Sequence, residues 1–414
     1  MALRNRLRRA APIGAVALLL AVPVGACSSQ SNQGTSKSGP LVIGASISLT
    51  GDFADPGKAV KAGYDLWAST VNAKGGILGR PVQFKIVDDT SSPDQVVTNY
   101  QNLINKDKVD LVVGPFSTLL TIPASQVAKR YGYAFLEPAG GGPKVFDQKL
   151  DNLFFVQPAP VVKQGDVFAD WVLSLPADQR PKTAAYTELD DPFATPIAEN
   201  LRSRFEAAGI KTVYKQVYPA ETQDYSPIMA KVVAVKPDML VGGTQSEDAY
   251  VQVKSLVQLK FSPPFMFLSN GANSPVEFPD KVGAGNTTGI MSSGDWFPGS
   301  TAAGSADFAA AYIKAHGGTA DSIDNSSAEA YAVGQVIEAV AKKTGKIDNA
   351  TIISTLHQGS WPTVLGDLSW DANGAPTGSF HLVQWQNGKL VPVFPAATAA
   401  GNKPLFPKPN WGGG

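Results

Sequence analysis

The chain has 414 residues, 43% of them hydrophobic, and carries 35 basic and 35 acidic side chains. That balance, with no basic stripe interleaved with aromatics, argues against a nucleic-acid surface, and its single cysteine leaves no intrachain disulfide. The 40 glycines and 31 prolines fit many tight connections rather than disorder, because apolar periodicity persists between them.

Residues 1–26 read as an export label. Arg4, Arg6, Arg8 and Arg9 form a basic start, and residues 10–22 form an apolar stretch too short to span a bilayer permanently. Val24-Gly25-Ala26-Cys27 resembles the lipobox of bacterial lipoproteins. The resemblance implies that Cys27 is lipid-modified, becomes the first mature residue and tethers the body to the outer face of a bacterial cell membrane, in an extracytoplasmic compartment. Residues 28–39 are rich in Ser and Gly and span roughly 20 Å as a flexible coil. Removing the label leaves 31 basic against 35 acidic side chains, a net charge of −4.

The body begins with a strand at 41–49, a long turn at 50–57 and a helix at 59–71 carrying Val60, Tyr64, Trp67 and Val71 on one face. A strand at 82–88 and a helix at 93–105 follow. The apolar run 109–113 predicts a buried strand stopped by Gly114-Pro115, with a helix starting near Ser117. Ser117, Thr118 and Thr121 put hydroxyls at that helix start, where free N–H groups and the dipole favour an anionic or hydrogen-bonding group; helix capping explains them equally. Strands are expected at 134–137 and 153–156, then a helix at 161–175.

The alternation repeats with a strand at 183–187, a helix at 194–208 and a strand at 212–218. A helix at 225–234, a strand at 239–242, a helix at 244–259 and strands at 264–268 and 290–294 come next. Helices at 305–316, 327–344 and 350–358 precede strands near 365–370 and 380–386. Residues 401–414 read as a loose tail. Alternating strands and helices indicate parallel sheets covered on both faces, whose ligands sit beyond the carboxyl ends of the strands. About 375 residues after the tether exceed a usual single core and suggest two lobes.

Several stretches together resemble the leucine/isoleucine/valine-binding family of ABC-transporter substrate-binding proteins. Residues 71–79 (VNAKGGILG) are similar to a helix-ending pattern of that family. Residues 114–125 and Glu137-Pro138-Ala139-Gly140 are similar to its two ligand loops. Asp224-Tyr225-Ser226-Pro227, Lys236-Pro237-Asp238, Ala330-Tyr331-Ala332, residues 366–371 and Gly388-Lys389 recur in order. The resemblance implies an α/β fold of two Rossmann-like lobes with parallel sheets and a three-crossing hinge, the type I periplasmic-binding-protein arrangement. Lobe 1 is then 41–157 plus 291–378 and lobe 2 is 158–290 plus 379–400, with crossings near Gln157, Ile290 and Gly378.

The resemblance further implies a monomer that closes over a small carboxylate-bearing solute and docks on permease and ATPase partners. That solute is a branched-chain amino acid, an amide or an aromatic acid. Carboxylate contacts fall on Thr118, with Ser117 beside it, and on Ala139, Gly140 and Gly141; the family usually has a hydroxyl residue where Gly141 stands. The acidic residue for the solute's ammonium falls near Asn270. Framing tyrosines fall at Pro192 or Phe193 and at Thr244, and the first turn offers Phe53 and Asp55. Phe53, Phe116 and Phe193 make an aromatic lining. Asp55 also reads as a turn cap and Asn270-Gly271 as a turn.

An enzyme is disfavoured. Asp88-Asp89 and Asp190-Asp191 are sequence neighbours whose side chains point apart on a strand. His316, His357 and His381 are scattered, and no nucleophile elbow, phosphate loop or zinc spacing is present. Neither cofactor nor metal is expected. The alternatives are a ligand sensor feeding a receptor, which uses the same fold, and an extracellular hydrolase.

Overall fold

The computed structural model describes residues 39–412. The export label and the lipidation of Cys27 lie outside these residues, as does the tether through residue 38.

The first half builds β1 (Leu41–Ile47), α1 (Ala54–Ala73), β2 (Val82–Asp88), α2 (Pro93–Asn105), β3 (Leu111–Val113), α3 (Thr118–Arg130), β4 (Phe135–Glu137), α4 (Pro143–Phe146) and β5 (Leu153–Phe155). The second builds α5 (Lys163–Ser174), β6 (Thr183–Leu189), α6 (Ala194–Ala207), β7 (Lys211–Tyr218), α7 (Ser226–Val235), β8 (Met239–Gly243), α8 (Ser246–Gln258), β9 (Phe265–Leu268), α9 (Glu277–Val282) and β10 (Met291–Gly294). Then come α10 (Ser305–His316), α11 (Asn325–Thr344), α12 (Asn349–Leu356), a small hairpin of β11 (Trp361–Thr363) and β12 (Gly366–Leu368), and a second hairpin of β13 (His381–Gln386) and β14 (Lys389–Phe394).

Two sheets result, ordered β2-β1-β3-β4-β5 and β14-β13-β10-β9-β8-β6-β7. The first is parallel throughout. In the second, β7-β6-β8-β9-β10 repeats the order of the first, also in parallel, and the β13/β14 hairpin adds to its edge antiparallel. Each sheet has its own apolar core, and α10 to α12 return to cover the first. These are the two lobes. Among the described residues no helix is long and apolar enough to cross a membrane.

The helix α1 begins at Ala54, so much of the expected turn at 50–57 is already helical. Pro56 is tolerated there because first-turn N–H groups have no helical partner. Gly57 is required by proximity: a Cβ on it would lie 1.9 Å from the Ser48 carbonyl oxygen. The α1–α11 pair packs through two more such glycines. A Cβ on Gly63 would meet the Ser327 carbonyl at 2.2 Å, and one on Gly334 would meet the Trp67 ring at 2.0 Å. Glycine inside a helix costs about 1 kcal/mol relative to alanine, and here that cost allows the close approach that fixes α11.

The chain passes between the two cores three times. The first passage follows β5, where Phe155 joins the second core while Phe154 and Val156 stay with the first. The third runs beside it: Phe155 N–H donates to Gly374 O (3.1 Å) and Gly378 N–H to Pro158 O (2.7 Å). The second passage differs from expectation. Residues 291–294 form β10 in the second sheet, and Trp296 is the residue that rejoins the first core, so the passage lies at Asp295 rather than Ile290. The short run 290–294 carries no signal of which sheet it joins, because both sheets bury their strands on two faces.

The expected loose tail is also corrected. Leu405 exchanges two hydrogen bonds with the Gln384 amide, at 2.7 and 2.8 Å. Phe406 stacks on Phe265 and meets Trp171 edge-on. Trp411 Nε1 donates to Phe261 O at 2.7 Å, and the buried Lys408 ammonium lies 3.5 Å from the centroid of the Trp411 ring. Pro and Gly in this stretch conceal two apolar anchors, Phe406 and Trp411, and the Lys408 stem between them. Replacing Phe406→Ala should cost about 2 kcal/mol through lost burial and ring contacts, read as a lower midpoint in thermal denaturation; an unchanged midpoint would mean the strap adds nothing.

Candidate functional site

The strand order that repeats in the two lobes brings their carboxyl-terminal loops to one small cavity. Phe116 and Ser117 follow β3, and Ala139 follows β4. Phe193 follows β6, Gln245 follows β8, and Ser269 and Asn270 follow β9. Gln157 from the first passage and Ser326 and Glu329 from the start of α11 complete the main polar wall, with Asn273, Val161 and Gln164. No lysine, arginine or histidine is among these lining residues.

Ser117 is held with φ +81°, a region that only glycine adopts without strain. Its hydroxyl accepts from Leu120 N–H at 3.4 Å as the cap of α3, while the residue lines the cavity. Phe116 and Phe53 pack with ring centroids 5.8 Å apart. Opposite, Asp191 accepts from the N–H groups of Phe193 and Ala194 at 2.8 and 3.0 Å. The Gln245 amide reaches Asp191 at 3.4 Å and accepts from Asn270 Nδ2 at 2.9 Å. One chain of hydrogen bonds therefore sets Phe193 and Asn270 together.

Of the expected contacts, Phe116, Ser117, Ala139, Phe193 and Asn270 line this cavity. Thr118 does not: it is fully buried, and its hydroxyl accepts from Gly142 N–H at 3.1 Å, tying one loop to the next. Gly140 lies against Thr121, where a Cβ would sit 2.1 Å from the hydroxyl oxygen. Gly141 faces the Phe155 ring, 2.1 Å from a would-be Cβ, which explains why no hydroxyl residue stands there. Thr244 is buried and donates to Asn270 O at 2.9 Å, so it supports the wall from behind. Phe53 lines a separate open groove with Asp190, Asp191 and Tyr225, and Asp55 lines another with Glu277 and Asp324. Neither residue borders the cavity itself.

The Ala139 amide, expected to meet a carboxylate, is already engaged: it donates to Glu137 Oε2 at 3.0 Å. Burial lifts the Glu137 carboxyl to about 8, against the opposing pull of the Ala139 and Gly140 amides and the Thr121 hydroxyl. The residues that sequence reasoning missed are Gln157, Gln164, Gln245, Asn273, Ser326 and Glu329. Glu329 is 8% exposed, and Asp295, whose two carboxyl oxygens have no hydrogen-bond donor, stands with it. Burial raises the Glu329 carboxyl well above the usual range, and the neighbouring carboxyls of Asp295 and Asp324 push it further.

A two-lobed α/β protein of the periplasmic-binding type, with a cavity lined from both lobes, is the class that this fold defines. The chain belongs to the periplasmic binding protein family, whose model matches residues 40–389. It is 27% identical over 355 residues to the Leu/Ile/Val-binding protein BraC3 of Rhizobium johnstonii, covering 85% of this chain and 93% of that protein. Its fold is similar to that of LivJ, the branched-chain amino acid transporter substrate-binding protein of Streptococcus pneumoniae, solved with isoleucine. There the TM-score is 0.74 at 21% identity, over 85% of this chain and 97% of that one. A solute-binding protein of an ABC transporter from R. palustris, solved with benzoate, is similar with TM-score 0.75 at 18% identity, over 88% and 99%.

Two predictions follow from this geometry. Gly141→Thr should not add a ligand contact but displace the Phe155 ring, destabilising the fold by about 1–3 kcal/mol; an unaltered melt with gained affinity would contradict this. Stability should also fall as pH rises. Glu137 and Asp248, lifted by burial to about 8 and about 7, keep protons in the fold that unfolded carboxyls release near pH 4. The native chain then binds more protons than the unfolded one, so stability is full below about pH 4 and drains toward pH 8. His381 and Lys408, both pushed down by burial, and the carboxyls of Asp88, Glu199, Glu206 and Asp224, held low by hydrogen bonds, act the other way. Thermal melts should show a midpoint that drops from about pH 5 to about pH 7, with a shallower drop in Glu137→Gln; equal slopes would refute the assignment.

Proposed function

We propose that this chain is the solute-binding component of an ABC importer, anchored outside the cytoplasm through a lipid on Cys27. It captures a small solute between its lobes, closes by a hinge at the three passages, and presents the closed form to a permease and its ATPase subunits. No bond in the solute is made or broken. The observation that supports this best is the cavity itself, because its wall comes from the strand-end loops of both sheets. Open, each lobe holds half a site; closed, the halves exclude water and strengthen every polar contact.

Relatives named for leucine, isoleucine and valine, and fold neighbours solved with isoleucine and with benzoate, frame the solute as a branched-chain amino acid, a small amide or an aromatic acid. Phe116 and Phe193 suit its apolar part. Seryl hydroxyls and the start of α3 suit its polar part. Calorimetry with L-isoleucine, L-leucine and benzoate, paired with small-angle scattering, tests the reading. At least one solute should bind at a ratio of one and reduce the radius of gyration. Absence of binding by all three, with no solute co-purifying on native mass spectrometry, would count against it. Labelling with a palmitate analogue that persists in Cys27→Ala would overturn the anchor.

A further inference from the structure

One buried acceptor on the cavity wall has no donor. Gln157 is 4% exposed, and its amide is oriented by its own hydrogen bond: Nε2 donates to Pro138 O at 2.7 Å. The assignment of nitrogen and oxygen is therefore fixed, since a flip would set two acceptors against each other. Its Oε1 is buried with no partner, yet the residue lines the cavity. Glu329 lines the same cavity from the second turn of α11, and beside it stands the buried carboxyl of Asp295, whose oxygens have no hydrogen-bond partner. A buried acceptor left unmet destabilises the fold, and an isolated buried carboxylate does so more.

The charged groups near Glu329 are Asp295 on the second passage, Asp324 before α11 and Glu137 at the end of β4, all of them carboxyls. With no lysine, arginine or histidine on the cavity wall, a solute carboxylate placed beside Glu329 would meet like charge. A group that brings hydrogens and positive charge would satisfy both acceptors together. The position where the resemblance places an acid, Asn270, has its amide nitrogen engaged by Gln245 at 2.9 Å.

We propose that Glu329 and Gln157 form the pole of the cavity that receives a protonated nitrogen of the solute, an ammonium or amidinium, with Asp295 a positioning residue behind Glu329. This rests on the reading of the cavity as the solute site and narrows it. Nitrogen-bearing solutes are selected over pure carboxylic acids; the solute's carboxylate, where present, turns toward the start of α3 at Ser117. The Glu329–Asp295 pair holds a proton between its carboxyls when the cavity lacks a cation. Arrival of the ammonium displaces that proton to solvent.

Matched probes test this on the full chain. L-leucine is compared with 4-methylpentanoate, which lacks only the nitrogen, and benzamidine with benzoate, by titration calorimetry. The nitrogen-bearing member of a pair should bind at least 100-fold tighter. Glu329→Gln should weaken it by about 100-fold while leaving the nitrogen-free member within a few-fold. Titrations in phosphate and in Tris should report proton release on binding, and Asp295→Asn should shrink that release, a change that a merely structural role would not produce. A carboxylic acid binding as tightly as its nitrogen-bearing partner would overturn the inference and leave the binding role intact. Binding of neither member of either pair would instead overturn the role and the inference together. The wild-type pairs decide the matter even if Glu329→Gln fails to fold.

Discussion

The arrangement depends on one constraint: parallel strands in the same order send all their carboxyl-terminal loops to one edge. The β2-β1-β3-β4-β5 and β7-β6-β8-β9-β10 sheets obey it separately. Loops after β3 and β4 then meet loops after β6, β8 and β9 around one cavity. Neither lobe encloses the space alone. Residues as distant in sequence as Phe116 and Glu329 become neighbours of the same small volume only because the chain passes between the cores three times.

Two devices keep that wall in register. The first is the α1–α11 contact, where Gly63 and Gly334 admit a neighbouring backbone and an indole ring; it positions the start of α11, and with it Ser326 and Glu329. The second is the bridging of loops by side chains that never reach the cavity. Thr118 receives Gly142 N–H, Thr244 donates to Asn270 O, and Asp191 caps Phe193. The wall is made by one set of residues and aimed by another. The carboxyls buried around it, Glu137, Asp295 and Glu329, are all pushed by burial toward keeping their protons, and no lysine, arginine or histidine stands in the wall to draw those protons off.

Much of this was legible in the sequence, for a physical reason. Buried parallel strands are short apolar runs closed by Gly or Pro, and β1 to β9 were placed to within a few residues from that pattern. What failed depends on distant contacts. Nothing local in the run 290–294 says that it joins the second sheet. β14 was overlooked although Asn387-Gly388, both at positive φ, is a strong hairpin signal. The tail looked loose because its anchors, Phe406, Lys408 and Trp411, are spaced by Pro and Asn. At the candidate site, the hydroxyls and glycines at strand ends mark loops that border the cavity. Thr118 and Gly141 support the wall rather than form it. Glu329 escaped notice because a glutamate in a helix ordinarily faces water; only the packing of α11 against α1 and the passage at Asp295 bury it.

The central claim is that both lobes contribute to one capture site. Hydrogen–deuterium exchange with and without a bound solute tests it directly. The account predicts that amides around 116–118 and 326–329 of the first lobe and around 193–194, 245 and 269–270 of the second gain protection together, at a single solute concentration midpoint. Protection confined to one lobe, or appearing at two separate midpoints, would contradict it.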